Sequence, residues 1–95
     1  MKDFIAVHTF KSSDLRDQYF AAAGSMSEAE LVEMTTGANA VCMKIWANEQ
    51  KMVAYCHWKA VSHEAIIEQL GDMNNFFDTV SDEMTAVLNF EELRK

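Results

Sequence analysis

The stretch ANAVCMKIWANEQKMVAYCHWKA, residues 38–60, contains both cysteines, both tryptophans and the alternation expected of a β-hairpin. Successive side chains of residues 39–47 and of residues 52–59 fall into two sets, as they do on the two sides of a strand. Between them lies an Asn-Glu-Gln stretch, and asparagine favours turns. We therefore predict two strands in which Ala47 pairs with Met52 across a four-residue loop.

This register predicts two different faces for the hairpin. One face is uniformly apolar and should lie under helices; it comprises Val41, Met43, Ile45, Ala47, Met52, Ala54, Cys56 and Trp58. The opposite face comprises Cys42, Lys44, Trp46, Val53, Tyr55 and His57. In this register Cys42 lies directly opposite His57. A slip of one residue would exchange the two faces, because side chains alternate along a strand.

Helices are predicted on both sides of the hairpin. Ser13 is a candidate N-cap for a helix with an apolar stripe, and the Ser27-Glu-Ala-Glu sequence is a capping box that starts a second, short helix. Ser62 is the N-cap of a third helix, which Gly71 can end. Residues 4–10 before them alternate as a strand with apolar side chains on both faces.

The end of the chain completes the predicted order β-α-β-β-α-β. Residues 74–80 are predicted to form a short helix or an irregular segment, and residues 84–90 a final strand. The order predicts one α+β domain, residues 1–95, of the ferredoxin-like kind: a four-stranded antiparallel sheet with helices on one face. The other face would be bare and apolar, so we expect a homodimer that pairs these sheet faces about a two-fold axis.

Composition argues against several classes of partner. The chain has 95 residues and a net charge of −7, so it should be repelled by nucleic acid and by anionic membrane surfaces. It has no apolar run near the roughly 18 residues of a membrane-spanning helix, and its first residues lack a signal-peptide pattern. We expect a cytoplasmic protein whose two cysteines are free thiols.

Both ends and the centre of the chain resemble uncharacterised protein families. The opening MKDFIAVHTF and the closing FFDTVSDEMTAVLNFEEL are similar to the DUF3303-type family, although residues 25–34 depart from its shorter pattern. The central GANAVCMKIWANEQKMVAYCHWKAVSHEAI is more weakly similar to the DUF4242 family. The resemblance implies the dimeric α+β barrel superfamily, which also contains cofactor-free monooxygenases. Some DUF4242 proteins are described as nickel-binding, which here would rest on His8 and Cys56.

Five residues are candidates for a ligand site. His8 titrates near neutrality and can act as an acid–base group or a ligand, or it can be a histidine of the core or interface. Cys42 beside a His57 imidazolium would have a lowered thiol pKa, or the two would be unrelated neighbours. Trp46 and Tyr55 can line an apolar pocket or pack across the dimer interface.

No residue pattern identifies a catalytic group, a metal or a cofactor. His8, His57 and a cysteine are the conceivable transition-metal ligands, but they lack ligand spacing on any one element. The spacing of the two cysteines matches no zinc motif. Trp58 is expected in the core and His63 at the surface.

Four functions are therefore open. The first is a homodimer that binds a small apolar ligand in a cavity at the open sheet face, near His8, Cys42, Trp46, Tyr55 and His57. The second is a cofactor-free monooxygenase-like or isomerase-like enzyme with His8 or His57 as base. The others are a nickel-type metal-binding protein and a structural or protein-interaction module.

Overall fold

The computed structural model describes all 95 residues and contains one sheet and four helices. The strands are β1 (Lys2–Phe10), β2 (Ala40–Asn48), β3 (Val53–Ala60) and β4 (Phe77–Met84). The helices are α1 (Ser13–Gly24), α2 (Glu28–Met34), α3 (His63–Leu70) and the single turn α4 (Phe90–Leu93), and a 3-10 turn covers Gly71–Asn75. No helix is both long and apolar enough to cross a membrane.

All neighbouring strands in the sheet are antiparallel, in the order β2-β3-β1-β4. The connection through α1 and α2 joins β1 to β2, which lie on either side of β3. The connection through α3 joins β3 to β4, which lie on either side of β1. Each helical connection therefore crosses one inserted strand. The predicted α+β class and the four-stranded antiparallel sheet are confirmed.

The core lies on one face of the sheet, which we call the covered face. Its residues alternate along β1 and β3 and meet α3 and the starts of β2 and β4; they are Phe4, Ala6, His8, Phe10, Ala40, Ala54, Cys56, Trp58, Ala60, Ala65, Ile66, Leu70 and Phe77. Neither α1 nor α2 contributes a fully buried residue. The sheet is therefore packed tightly by α3 and only loosely by the two helices that precede β2.

Side-chain caps fix where the helices begin. The Ser27 hydroxyl accepts from the Glu30 backbone N–H, and the Glu30 carboxylate accepts from the Ser27 N–H, which confirms the capping box. The Ser62 hydroxyl accepts from the backbone N–H of the third helical residue, as predicted. The N-cap of α1 is Ser12 rather than Ser13. Each such cap satisfies a backbone donor that the helix itself cannot pair.

The predicted hairpin register is wrong in two respects. Ala47 pairs with Ala54 rather than with Met52, so the strands are offset by two residues, which leaves each side chain on its predicted face. A β-bulge between Cys42 and Lys44 then adds one residue to β2. A bulge residue has no partner, so every side chain before it changes face.

The bulge moves Cys42 to the covered face. Cys42 pairs with Trp58, and Lys44 occupies the predicted position opposite His57. Val41 moves to the opposite face for the same reason. No glycine or proline marks the bulge in the sequence. The alternation of side chains therefore does not show that the residues before the bulge change face. The predicted Cys42–His57 pair does not exist.

The last strand begins seven residues earlier than predicted, at Phe77 rather than at residue 84. It is an edge strand that pairs only with β1. Of its residues only Phe77 is buried, and the acids Asp78 and Asp82 point away from the core. Because such a strand needs few apolar residues, its sequence does not have the pattern of a central strand. Residues 85–89, predicted as strand, lie outside the sheet.

The tight packing of α3 predicts that truncating one of its buried side chains lowers the free energy of unfolding far more than truncating an exposed side chain elsewhere. Ile66 is fully buried, so we expect Ile66→Ala to lower the free energy of unfolding by about 2–5 kcal/mol through lost contacts and a residual cavity. The control Leu88→Ala truncates a side chain that is 72% exposed, and we expect a change of less than about 0.5 kcal/mol. Urea unfolding measures both. Equal effects would contradict the described core.

Candidate functional site

A cavity of about 370 Å³ lies between the covered face of β2 and β3 and the helices α1 and α2. Its walls are mostly hydrophobic, and its floor carries His8, Cys42, Cys56 and Trp58. This volume lies within the range of small-molecule sites, which are apolar clefts with few polar groups. The cavity exists where the helical layer is loosely packed, because α1 and α2 bury no side chain fully against the sheet.

The cavity opens to solvent between α2 and β2. Three of its lining residues are exposed although they are large and apolar: Val32 on α2 at 62%, Met43 at the bulge at 51% and Ile45 on β2 at 44%. An exposed apolar rim of this kind is costly in water unless something covers it. The mouth therefore suits a small apolar molecule.

His8 lies at the centre of the polar floor. Its Nε2 is 3.1 Å from the Cys56 Sγ, and its Nδ1 is 2.7 Å from the Thr79 Oγ1. The ring is 2% exposed and packs against the Phe77 ring at 4.4 Å. Burial lowers the pKa of His8 from 6.5 to about 4, because a charged imidazolium would lose its hydration. At neutral pH His8 is therefore a neutral imidazole with a single N–H.

Cys42 and Cys56 are two free thiols on this floor, and the Cys42 Sγ donates to the Lys44 backbone carbonyl at 3.8 Å. The neighbouring Cys56 thiol lowers the pKa of Cys42, burial opposes this shift, and the backbone of Lys44 supports it. The pKa of Cys56 is raised far above its usual range, because Cys42 is beside it and because it is buried. Cys42 is thus the thiol of the pair that loses its proton first.

The Trp58 indole is the unusual donor of the site. Its Nε1 is fully buried and has no hydrogen-bond partner. It lies close enough to the Cys56 sulfur to favour a thiolate there, but the two groups do not form a hydrogen bond. Buried indole N–H groups usually find a partner, because an unpaired one costs about 1–3 kcal/mol. An acceptor that reached Nε1 would supply that partner.

The structure divides the predicted ligand set between the two faces of the sheet. His8 and Cys42 lie in the cavity, whereas Trp46, Tyr55 and His57 lie on the opposite side, which we call the open face. Trp46 and Tyr55 are direct neighbours there. The predicted site of five residues therefore does not form as one unit.

The open face holds its own polar pair. His57 Nε2 is 2.8 Å from the Asp3 Oδ1, and this hydrogen bond lowers the pKa of Asp3. The Lys44 ammonium lies 5.0 Å from the centroid of the Trp46 ring, within reach of a cation–π contact. His63, predicted at the surface, is half-buried and hydrogen-bonds the Ser81 hydroxyl.

Sequence reasoning did not place Cys56 and Trp58 in a ligand cavity, and it missed Thr79 as the hydrogen-bond partner of His8. Trp58 and Cys56 were correctly expected on the covered face, but the cavity was expected on the other one. Thr79 lay in a segment that was not predicted as strand. The pattern of β1, with His8 between Ala6 and Phe10, was the available signal, since a histidine among core residues needs polar partners.

The structure contains no group of three His, Cys, Asp or Glu side chains arranged to hold a metal ion. The nickel-type set of His8 and Cys56 therefore lacks a third ligand of these types. Comparison of the sequence with models of known protein families found no match, and comparison with curated proteins found no significant match.

The buried His8 predicts a specific loss of stability in acid. The unfolded chain binds a proton near pH 6.5, whereas folded His8 does so only near pH 4, so stability falls as pH drops through this window. At about 1.4 kcal/mol per pH unit, the loss approaches about 3 kcal/mol. Urea unfolding from pH 7 to 4 should show this in the wild type relative to His8→Gln. An NMR titration of His8 near pH 6.5 would contradict the assignment.

Proposed function

We propose that the protein binds a small, mostly apolar molecule that carries one hydrogen-bond acceptor, in the cavity between α2 and β2. The observation that carries the proposal is an apolar cavity of about 370 Å³ whose lining includes Trp58, a residue with an unpaired, fully buried N–H. Apolar walls supply affinity, and a single buried donor supplies orientation. The cavity is on the covered face, so this proposal moves the predicted ligand site from one face of the sheet to the other.

The cavity and its chemistry favour binding over the other functions considered. His8 is a weak base at neutral pH, since burial lowers its pKa to about 4, and His57 faces away from the cavity toward Asp3. A metal-binding function would need a third ligand beside His8 and Cys56, and no such cluster exists. A purely structural module would have no use for a cavity of this volume.

We further propose that the fold is ferredoxin-like and that the protein is a homodimer of the dimeric α+β barrel type. The two connections that each cross one inserted strand support the fold. Read from the other edge, the strand order is β4-β1-β3-β2. Exposed apolar side chains on the open face support the dimer: Trp46 at 50%, Tyr55 at 47% and Val80 at 66%.

The open face is complementary to itself under a two-fold axis that runs between β1 and β3, parallel to the strands. Four rows of paired residues cross the open face; the two central rows are Lys44–His57–Ile5–Asp82 and Trp46–Tyr55–Val7–Val80. The rotation places each row against the same row of the partner, with the residues in the opposite order. Lys44 then faces the partner's Asp82, and Trp46 faces the partner's Val80. Face-to-face sheets pack with such nearly aligned strands.

Binding can be tested with ethyl pentyl ketone, a small apolar molecule with one acceptor. We expect the Trp58 indole N–H signal in the NMR spectrum to shift as the ketone fills the cavity, and the Trp46 signal to stay in place. The variant Trp58→Phe should bind roughly two- to tenfold more weakly, which is the net worth of one hydrogen bond. A ketone that moves neither signal would contradict the proposal.

A matched pair of helix variants tests the location. Ala23 on α1 lines the cavity, whereas its neighbour Ala22 is exposed and does not. We expect Ala23→Leu to fill the cavity and abolish ketone binding, and Ala22→Leu to bind as the wild type does. Leucine suits a helix as well as alanine does within a few tenths of a kcal/mol, so both variants should fold. Equal binding by both would place the ketone elsewhere.

The dimer can be tested by exchanging charges. We expect Asp82→Lys to weaken dimerisation in sedimentation equilibrium, because two lysines would then face each other. The double variant Lys44→Asp/Asp82→Lys should restore it. Glu28→Lys, on the exposed start of α2, is the control for charge alone. A wild-type protein that stays monomeric at all concentrations would contradict the dimer.

A further inference from the structure

The floor of the cavity is more enclosed than its mouth. Trp58 is 1% exposed and His8 is 2% exposed, although both line the cavity and the rim between α2 and β2 reaches solvent. Water therefore touches almost none of the surface of these two side chains. A ligand is larger than water, so one wall of the cavity must move before a ligand reaches the floor.

The walls differ in how firmly they are held. The strands β2 and β3 are paired along their length, and α3 buries three residues. On α1 the Tyr19 and Phe20 rings pack against the Phe10 ring, with centroids 5.4 Å and 5.7 Å away. The helix α2 buries no residue, and none of its residues forms an ion pair. The wall with the weakest hold is therefore α2.

A single hydrogen bond reaches α2 from another helix. The side chain of Gln69 on α3 extends to the last residue of α2, where its Nε2 donates to the Met34 carbonyl oxygen at 2.9 Å. The last carbonyls of a helix have no partner within the helix, so this oxygen is free to accept. Beyond α2, the Thr35 carbonyl accepts from the Cys42 backbone N–H and fixes the following chain to β2. The helix can therefore pivot at that point once Gln69 lets go.

The Gln69 amide can lie beside α2 because residue 37 is a glycine. A Cβ atom at Gly37 would overlap the Gln69 Oε1, which is the end of a flexible side chain. The backbone of Gly37 does not have a positive φ, so alanine fits its conformation. The absent Cβ therefore provides space for Gln69 rather than freedom for the turn. The change Gly37→Ala displaces the Gln69 amide without altering Gln69 itself.

We propose that α2 is a lid over the cavity and that Gln69 is the latch that holds it closed. This inference rests on the proposed function, since the lid gives a ligand access to the cavity. Lids of this kind let a ligand enter and then separate it from water. A helix of seven residues is not stable when detached, so opening the lid also loosens the helix. Gln69 does not line the cavity, so it is a positioning residue that acts through α2.

A latch of this kind affects rates more than affinity. The bond between Gln69 and Met34 lies outside the cavity, so it is present whether the cavity is empty or filled. Its loss destabilises the closed lid equally in both states. Entry and exit of the ligand then speed up together, by about two- to tenfold for one hydrogen bond. A residue that only shaped the cavity would change the affinity instead.

Hydrogen exchange tests the latch without any ligand. In Gln69→Glu a carboxylate, which has no N–H to donate, replaces the amide, and Gly37→Ala displaces the amide by its Cβ. We expect the backbone amides of α2 to exchange about two- to tenfold faster in both variants. The controls are Glu68→Gln, at an exposed neighbour of Gln69, and Gly24→Ala, where a Cβ meets open space; both should exchange as the wild type does.

The same experiment shows whether the effect is local. The amides of β1 and β3 should exchange at the wild-type rate in both latch variants, which confirms that they fold. Unchanged exchange of α2 in either latch variant would overturn the latch. Faster exchange throughout β1 and β3 would also overturn it, because Gln69 would then stabilise the whole fold rather than one helix.

The kinetics of ethyl pentyl ketone test the lid. The Trp58 indole N–H signal in NMR exchange spectra reports its entry and exit. We expect both rates to rise about two- to tenfold in Gln69→Glu and Gly37→Ala, while the Kd stays within about twofold of the wild-type value, because both states lose the same bond. Rates equal to those of the wild type would overturn the lid. So would a higher Kd with an unchanged rate of entry.

The two measurements separate this inference from the one on which it rests. If the ketone binds and its rates are the same in the latch variants and the wild type, the lid fails and the binding proposal stands. If the ketone does not bind but α2 exchanges faster in both latch variants, the binding proposal fails and the latch stands. If the ketone does not bind and α2 exchange is unchanged, both fail.

Discussion

The antiparallel pairing of β1 with β3 at the centre of the sheet determines most of what this protein can do. It places His8 beside Ala54 and Ala6 beside Cys56, so the imidazole reaches diagonally to the thiol at 3.1 Å. A buried imidazole must find partners for both ring nitrogens or lose stability. Thr79 from β4 supplies the second partner at 2.7 Å. The polar floor of the cavity follows from this pairing.

A second constraint is the unequal packing of the helices. α3 buries Ala65, Ile66 and Leu70 against the sheet, whereas α1 and α2 bury no residue fully. The helices before β2 therefore rest on the sheet with space beneath them. Because protein interiors are normally close-packed, a cavity of about 370 Å³ in so small a domain is a feature that calls for a function.

The sequence predicts the fold class well because alternation and caps are local signals. The hairpin, the capping box at Ser27 and the N-cap Ser62 all follow from neighbouring residues. The site is less predictable, because one inserted residue at Met43 decides which face Cys42 occupies. A bulge of this kind is fixed by tertiary packing and carries no mark in the sequence. The edge strand at Phe77 was missed for a related reason, since it buries too few side chains to alternate clearly.

The central claim is that an apolar molecule with one acceptor fills the cavity and pairs the buried Trp58 N–H. A crystal structure of the protein grown with ethyl pentyl ketone tests it most directly. The account predicts ketone density between α2 and β2, with the carbonyl oxygen within about 3.2 Å of Trp58 Nε1. A cavity closed by the side chains of α1 and α2, with Trp58 Nε1 bonded to another protein group, would contradict it.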